Sequence, residues 1–189
     1  MKKGLKTSIV IIGVILVLVF AIIGGYNKIV TLEQAVLNSQ SNIETNLQRR
    51  NDLIPNLVNT VKGYATQEKD IFKDIANARA KLGGAKTINE RANADAELSS
   101  SLSRLLLVVE NYPDLKSNEN FKDLTVALEG TENSINIARQ DYNKMVGIYY
   151  TTIKRFPNSI ISSVFRFQPK EYYKASEGAK EVPKVDFSK

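Results

Sequence analysis

Hydrophobic and polar positions divide this chain into three regimes. From Thr7 to Asn27 (TSIVIIGVILVLVFAIIGGYN) there is no charged residue, and thirteen positions are Ile, Val, Leu or Phe. At the helical rise this run covers about 31 Å, the thickness of a bilayer's hydrocarbon core. Each large apolar residue contributes roughly −0.3 to −0.6 kcal/mol to insertion, so a membrane span is strongly favoured. From Val30 to Leu82 apolar residues recur at three and four: Leu32, Val36, Ile43, Leu47, Ile54, Val58, Val61, Ile71, Ile75 and Leu82. This predicts one long amphipathic helix or two collinear ones. Pro55 removes one helical hydrogen bond and predicts a kink, and Gly83-Gly84 closes the helix.

Thr87-x-x-Glu90 is a capping-box pattern that starts a second helix, with Ala96, Leu98, Leu102, Leu105, Leu106 and Val109 on one face. Tyr112-Pro113 stops it, and Ser117 is placed to cap a third. That third helix has the cleanest period. Phe121, Leu124, Leu128, Thr131, Ile135, Ala138, Tyr142, Met145, Tyr149, Thr152 and Phe156 alternate spacings of three and four, a heptad seam. Phe156-Pro157 ends it, and both aromatic-proline pairs read as helix ends with an aromatic plug. The run NSIISSVFRF at 158–167 predicts a short apolar helix that caps the bundle. The fold class is therefore all-α: a single N-terminal transmembrane helix followed by a long antiparallel bundle of four-helix type. The expected divisions are an anchor at 1–28, a bundle at 29–167 and a loosely held charged tail at 168–189. Gly24-Gly25 offers a hinge between anchor and bundle.

A cleaved signal peptide would share the basic flank of Lys2, Lys3 and Lys6. No Ala-x-Ala site follows the apolar core, however, and Tyr26 and Lys28 have the character of interfacial anchors, which favours an uncleaved span. Three lysines before the span against one close behind it favour a cytoplasmic N-terminus and an external C-terminal domain in a bacterial cell membrane. Lys2, Lys3, Lys6, Tyr26 and Lys28 are the expected membrane-interface residues.

The net charge is +6, half of it from Lys2, Lys3 and Lys6. The remainder is a mixed surface without the clustered basic face of a nucleic-acid binder. There is no His and no Cys, which removes imidazole acid–base chemistry, thiolate nucleophiles and the usual zinc ligands. No phosphate-binding glycine loop or nucleophile elbow occurs. Glu110 with Asp114, and Glu129 with Glu132, are carboxylate pairs at helical spacing; a solvated face explains them better than a cation site or acid–base pair. No catalytic, cofactor-binding or metal-ligating set is expected, and no small-molecule substrate is evident.

Arg49 and Arg50 precede Asp52 and Pro55. The structural reading has Asp52 cap a helix restarted at Pro55 and one arginine pair with an acid on a neighbouring helix. The functional reading is a partner-binding or headgroup site centred on the arginine pair. Glu132, Arg139 and Asn143 flank the heptad seam, and Glu132 with Arg139 predicts a salt-bridge ladder to the first helix that sets register, or the same ladder between subunits.

Three blocks carry a family resemblance: QRRNDLIPNLVNTVKGYATQE (48–68), RLLLVVENYPDLKSNENFKDL (104–124) and EGTENSINIARQDYNKMVGIYYTTIKRFPNSIISSVFRF (129–167). In this order they resemble the bacterial LemA family over nearly the whole chain, including the terminal Val185-Asp186-Phe187. The family pattern has Tyr-Asn where this chain has Tyr149-Tyr150, and Gly-Phe where it has Arg166-Phe167. The resemblance implies a membrane-anchored helical bundle and loosely suggests a scaffolding role; it implies no particular chemistry. The function expected is a non-enzymatic scaffold that self-associates or organises partners at the membrane. The partners are then the lipid bilayer, further copies of the chain and another membrane protein. The alternative is an adaptor or accessory subunit of a membrane enzyme or transporter, such as a membrane protease.

Overall fold

Apolar residues recur at helical spacing along most of the chain, and the described residues fold into helices almost throughout. The computed structural model describes residues 2–174, with side chains from Ser8 onward. The side chains of Lys2, Lys3 and Lys6, and residues 175–189 of the tail, lie outside the described residues. Six helices and no strand occur among the described residues: α1 (Lys2–Lys62), α2 (Lys69–Gly84), α3 (Ile88–Val109), α4 (Pro113–Ser117), α5 (Glu119–Lys154) and α6 (Asn158–Val164). They form two units, Met1–Gln40 with Asp141–Lys170, and Ser41–Gln140 with Glu171–Lys189.

The first unit holds the apolar start of α1. Every large apolar side chain from Ile9 to Ile23 is 44 to 71% exposed. Beyond it Ile29 and Val36 on α1 are buried, as are Tyr142, Val146, Tyr149 and Ile153 on α5. The expected hinge at Gly24-Gly25 is absent, because α1 runs through both glycines. Gly25 has a different use. A methyl group there would overlap Ile161 Cδ1 and stand 2.9 Å from Asn158 Oδ1, so the missing side chain is what lets α6 lie against α1. Beyond α6, Lys170 Nζ pairs with Glu33 Oε1 at 2.6 Å.

The second unit is a four-helix bundle. Lys81–Glu97 (2.5 Å) and Arg104–Asp74 (2.7 Å) show α2 and α3 running antiparallel. Arg79 Nε donates to Asn51 Oδ1 at 2.8 Å, tying α2 to α1. Arg50 with Glu132, and the Tyr64 hydroxyl accepting from Asn118 at 3.1 Å, set α5 antiparallel to α1. Ile54, Leu57, Val61, Ile75, Leu98, Leu105, Leu115 and Ile135 fill the core. Each such side chain contributes about 1.5–3 kcal/mol when removed from water.

Three local expectations change here. Residues 30–82 do not form collinear helices: α1 continues through Pro55 to Lys62, and the chain reverses after Gly63, where Tyr64 and Ala65 N–H both bond the Val61 carbonyl. Proline's missing N–H removes one bond of many in a long helix, whereas reversal needs residues that leave the helical conformation. The Thr87–Glu90 capping box is present with both reciprocal bonds. Ser117 does not cap α5; its hydroxyl donates to the Asp114 carbonyl, and Asn118 Oδ1 accepts from Phe121 N at 3.0 Å instead. The seam of α5 also drifts. After Tyr142 the buried positions are Val146, Tyr149 and Ile153, while Phe156 is 81% exposed and plugs nothing. A straight helix of 3.6 residues per turn slips about 20° per heptad against a 3.5 repeat, so the inward face moves off the expected positions.

Candidate functional site

In the second unit α1, α3 and α5 deliver charged side chains to one point, and the segment after α6 adds a tyrosine. Asp95 on α3 is its centre and is fully buried. Its Oδ1 accepts from Arg50 Nη1 at 2.9 Å. Its Oδ2 accepts from the Tyr173 hydroxyl at 3.0 Å and, in a very close contact, from Arg139 Nη2. Arg50, 4% exposed, also donates from Nη2 to Ser99 Oγ at 3.0 Å and stands 2.8 Å from Glu132 Oε2. That last contact is an ion pair without hydrogen-bond alignment. Arg139 Nη1 lies 3.9 Å from Glu132 Oε1 and donates to Asn136 Oδ1 at 3.0 Å, and its guanidinium stacks 5.1 Å from the Tyr173 ring.

Two guanidiniums face two carboxylates, so the cluster is neutral as a whole. Burial lowers the pKa of Arg50, and Glu132 and Tyr173 oppose that shift. An arginine starts so far above neutrality that it stays charged. Burial pushes the Tyr173 phenol up, against the pull of Arg139, so it remains a neutral donor to Asp95. Asp95 is saturated by three donors and is a poor candidate for acid–base work. Replacing such a cluster by apolar residues is often neutral, whereas removing one member strands a buried charge. Arg50 on α1 thus joins Asp95 on α3 to Glu132 on α5.

Next to the cluster a half-open cavity of about 280 Å³ is walled by Leu57, Leu102, Leu106 and Leu128 and floored by Arg50 and Glu132. Glu129 stands at its edge, exposed to solvent. Among the described residues no group of three or more Asp or Glu side chains is arranged to hold a metal ion.

Residues 39–187 match the model of the LemA family. The chain belongs to the LemA family. Among its relatives, magnetosome protein MamQ 2 of Paramagnetospirillum magneticum is 26% identical, covering 90% of this chain and 73% of its own length. Magnetosome protein MamQ of Magnetospirillum gryphiswaldense is 25% identical, over 78% of this chain and 64% of the relative. Protein LemA of Metamycoplasma hominis is 22% identical, over 84% of this chain and 73% of the relative.

Within this LemA chain the expected residues separate. Arg50, Glu132 and Arg139 meet in the cluster, as the intramolecular ladder anticipates. Arg49 is exposed, and Pro55 is half-buried within α1. Asp52 caps nothing, since no helix restarts there; it is exposed and accepts from Gln48 Nε2 at 2.7 Å. Asn143 belongs to the other unit and is half-buried there. Glu110 pairs with Lys116 at 2.5 Å on the surface. Tyr26 packs on Phe165 and Phe167, with ring centroids 4.8 and 5.7 Å away. The apolar start of α1 is long enough to cross a membrane.

Asp95 and Tyr173 are absent from the expected set. Asp95 had a signal: it continues the 109, 105, 102, 98 series by three, an acid placed on an apolar stripe. Tyr173 had only its aromatic character within the segment expected to be loosely held. It is 6% exposed and hydrogen-bonded, so the first residues of that segment are docked.

Proposed function

We propose that this LemA-family chain is a non-enzymatic, membrane-anchored helical scaffold that self-associates or organises partners at a bacterial cell membrane. The observation that carries the reading is the continuity of α1. One helix contains both the exposed apolar run, long enough to span a bilayer, and the arginine that locks the bundle's register. The bundle's charged centre is neutral as a whole and its buried Asp95 is saturated by three donors, which suits a structural role. The unequal lysine flanks support an external bundle. Mass measurement of the full chain in lipid nanodiscs tests the reading: discrete oligomers are expected, and a strict monomer would remove self-association.

A second reading, an adaptor for a membrane enzyme or transporter, draws on the half-open leucine-walled cavity beside Arg50, whose size suits an inserted apolar side chain. Purification from the native membrane after cross-linking distinguishes the two. A stoichiometric partner protein supports the adaptor, and self-cross-links alone support the scaffold.

A further inference from the structure

We propose that α6 and its flanks form a second membrane contact, a short amphipathic element that sits in the lipid interface beside the emerging span. The proposal rests on the reading of the N-terminal run as a span. Its occupant is the headgroup region of an anionic bilayer.

α6 is fixed in depth by its contact with α1. Ile161 and Asn158 press on Gly25, and Gly25 is two residues beyond Ile23, the last large apolar residue of the run. Two residues of helix are about 3 Å, less than the interfacial layer on either side of the hydrocarbon core. Tyr26 fixes the same level, its ring packed at a tilt against Phe165. With the span inserted, α6 is held at the level of the headgroups.

α6 and its flanks also turn an apolar face outward. Ile161 and Ser162 are buried, but Ile160 and Val164, one turn apart, are 58 and 68% exposed. Phe156 before the helix is 81% exposed and Phe165 after it 51%. Four large apolar side chains on a ten-residue stretch are costly in water and suited to the acyl boundary.

Between Asp141 and Glu171 the chain has no carboxylate and five cations: Lys144, Lys154, Arg155, Arg166 and Lys170. Lys154, Arg155 and Arg166, which bracket the apolar face, are exposed. Cations on both sides of an exposed apolar patch complement a negatively charged headgroup layer.

The chain has no tryptophan, so single-tryptophan variants report without background. The full chain carrying Phe156→Trp, and separately Phe20→Trp, is reconstituted into vesicles of phosphatidylglycerol and phosphatidylcholine, with brominated phosphatidylcholine as quencher in both leaflets. The expected result is a blue-shifted, bromine-quenched signal from both. The signal at position 156 is quenched best by bromine near the headgroups and is weakened by Ile160→Asp with Val164→Asp. If Phe20→Trp is quenched and Phe156→Trp emits as in water, α6 makes no lipid contact and the proposal fails while the span stands. A blue-shifted but unquenched signal at 156 means a second copy or another protein covers the face, and also overturns it. Quenching at neither position overturns the span and the proposal together.

Discussion

Arg50 on α1 and Asp95 on α3 hold each other at 2.9 Å with only 4% and 0% of their surfaces exposed. Neither can turn to water if the other is removed. Asp95→Ala leaves two guanidiniums facing Glu132 alone, and is expected to cost about 3–5 kcal/mol. Chemical denaturation of the full chain in mild detergent measures it. A loss no larger than that of an ordinary surface substitution would show that the cluster does not hold the bundle.

Tyr173 reaches the same carboxylate from beyond α6, as a neutral phenol stacked near Arg139. Tyr173→Phe keeps the ring and removes one hydrogen bond to a charged acceptor, at a cost of about 1.5–3 kcal/mol. Hydrogen exchange should show this as faster exchange across residues 171–174. Unchanged exchange there would mean that the hydroxyl does not tether the segment.

Gly25→Ala tests the closeness of α1 and α6. The added methyl meets Ile161 Cδ1, and overpacking of this kind costs about 1–3 kcal/mol. Ile161→Val deletes the offending carbon, so the double variant should regain part of the loss. A double variant no better than the sum of the two single ones would show that the glycine serves some other end.

Tyr149 is fully buried, and its hydroxyl donates to the Gln168 carbonyl at 3.0 Å. Burial first, and the nearby Glu33 second, push its phenol up to about 12 from an ordinary value of 10.0. A folded pKa above the unfolded one contributes stability that is complete below the unfolded value and lost as pH rises through the folded one. The full chain should therefore lose stability between about pH 10 and 12 more steeply than Tyr149→Phe, since lysine deprotonation is common to both. Parallel pH profiles would contradict this placement of the phenol.

The membrane run, the capping box and the helical character of the rest were legible because each is written in neighbouring residues. Thirteen large apolar residues without a charge have few soluble homes, and Thr87 meets Glu90 three positions away wherever the helix starts. Three of the five members of the charged cluster were legible too. Glu132 and Arg139 stand beside a seam, and an arginine upstream on an amphipathic helix invites a partner. Asn143 and Asp52 had the same kind of local signal, but the cluster is made by Arg50, Glu132, Arg139, Asp95 and Tyr173.

By itself, then, the order of residues determined what depends on periods and short spacings: an apolar helix long enough to cross a bilayer, an all-helical bundle, three members of the charged cluster and the family. Only the tertiary structure decided where α1 reverses, that Val146 and Ile153 of α5 face inward in place of Met145 and Thr152, what Gly25 makes room for, and that Tyr173 completes Asp95. These depend on contacts between residues distant in the chain, such as the 78 positions separating Asp95 from Tyr173. Local propensity and periodicity carry no term for a neighbour that arrives from another helix, and the burial such a neighbour creates decides whether a charge is solvated or locked.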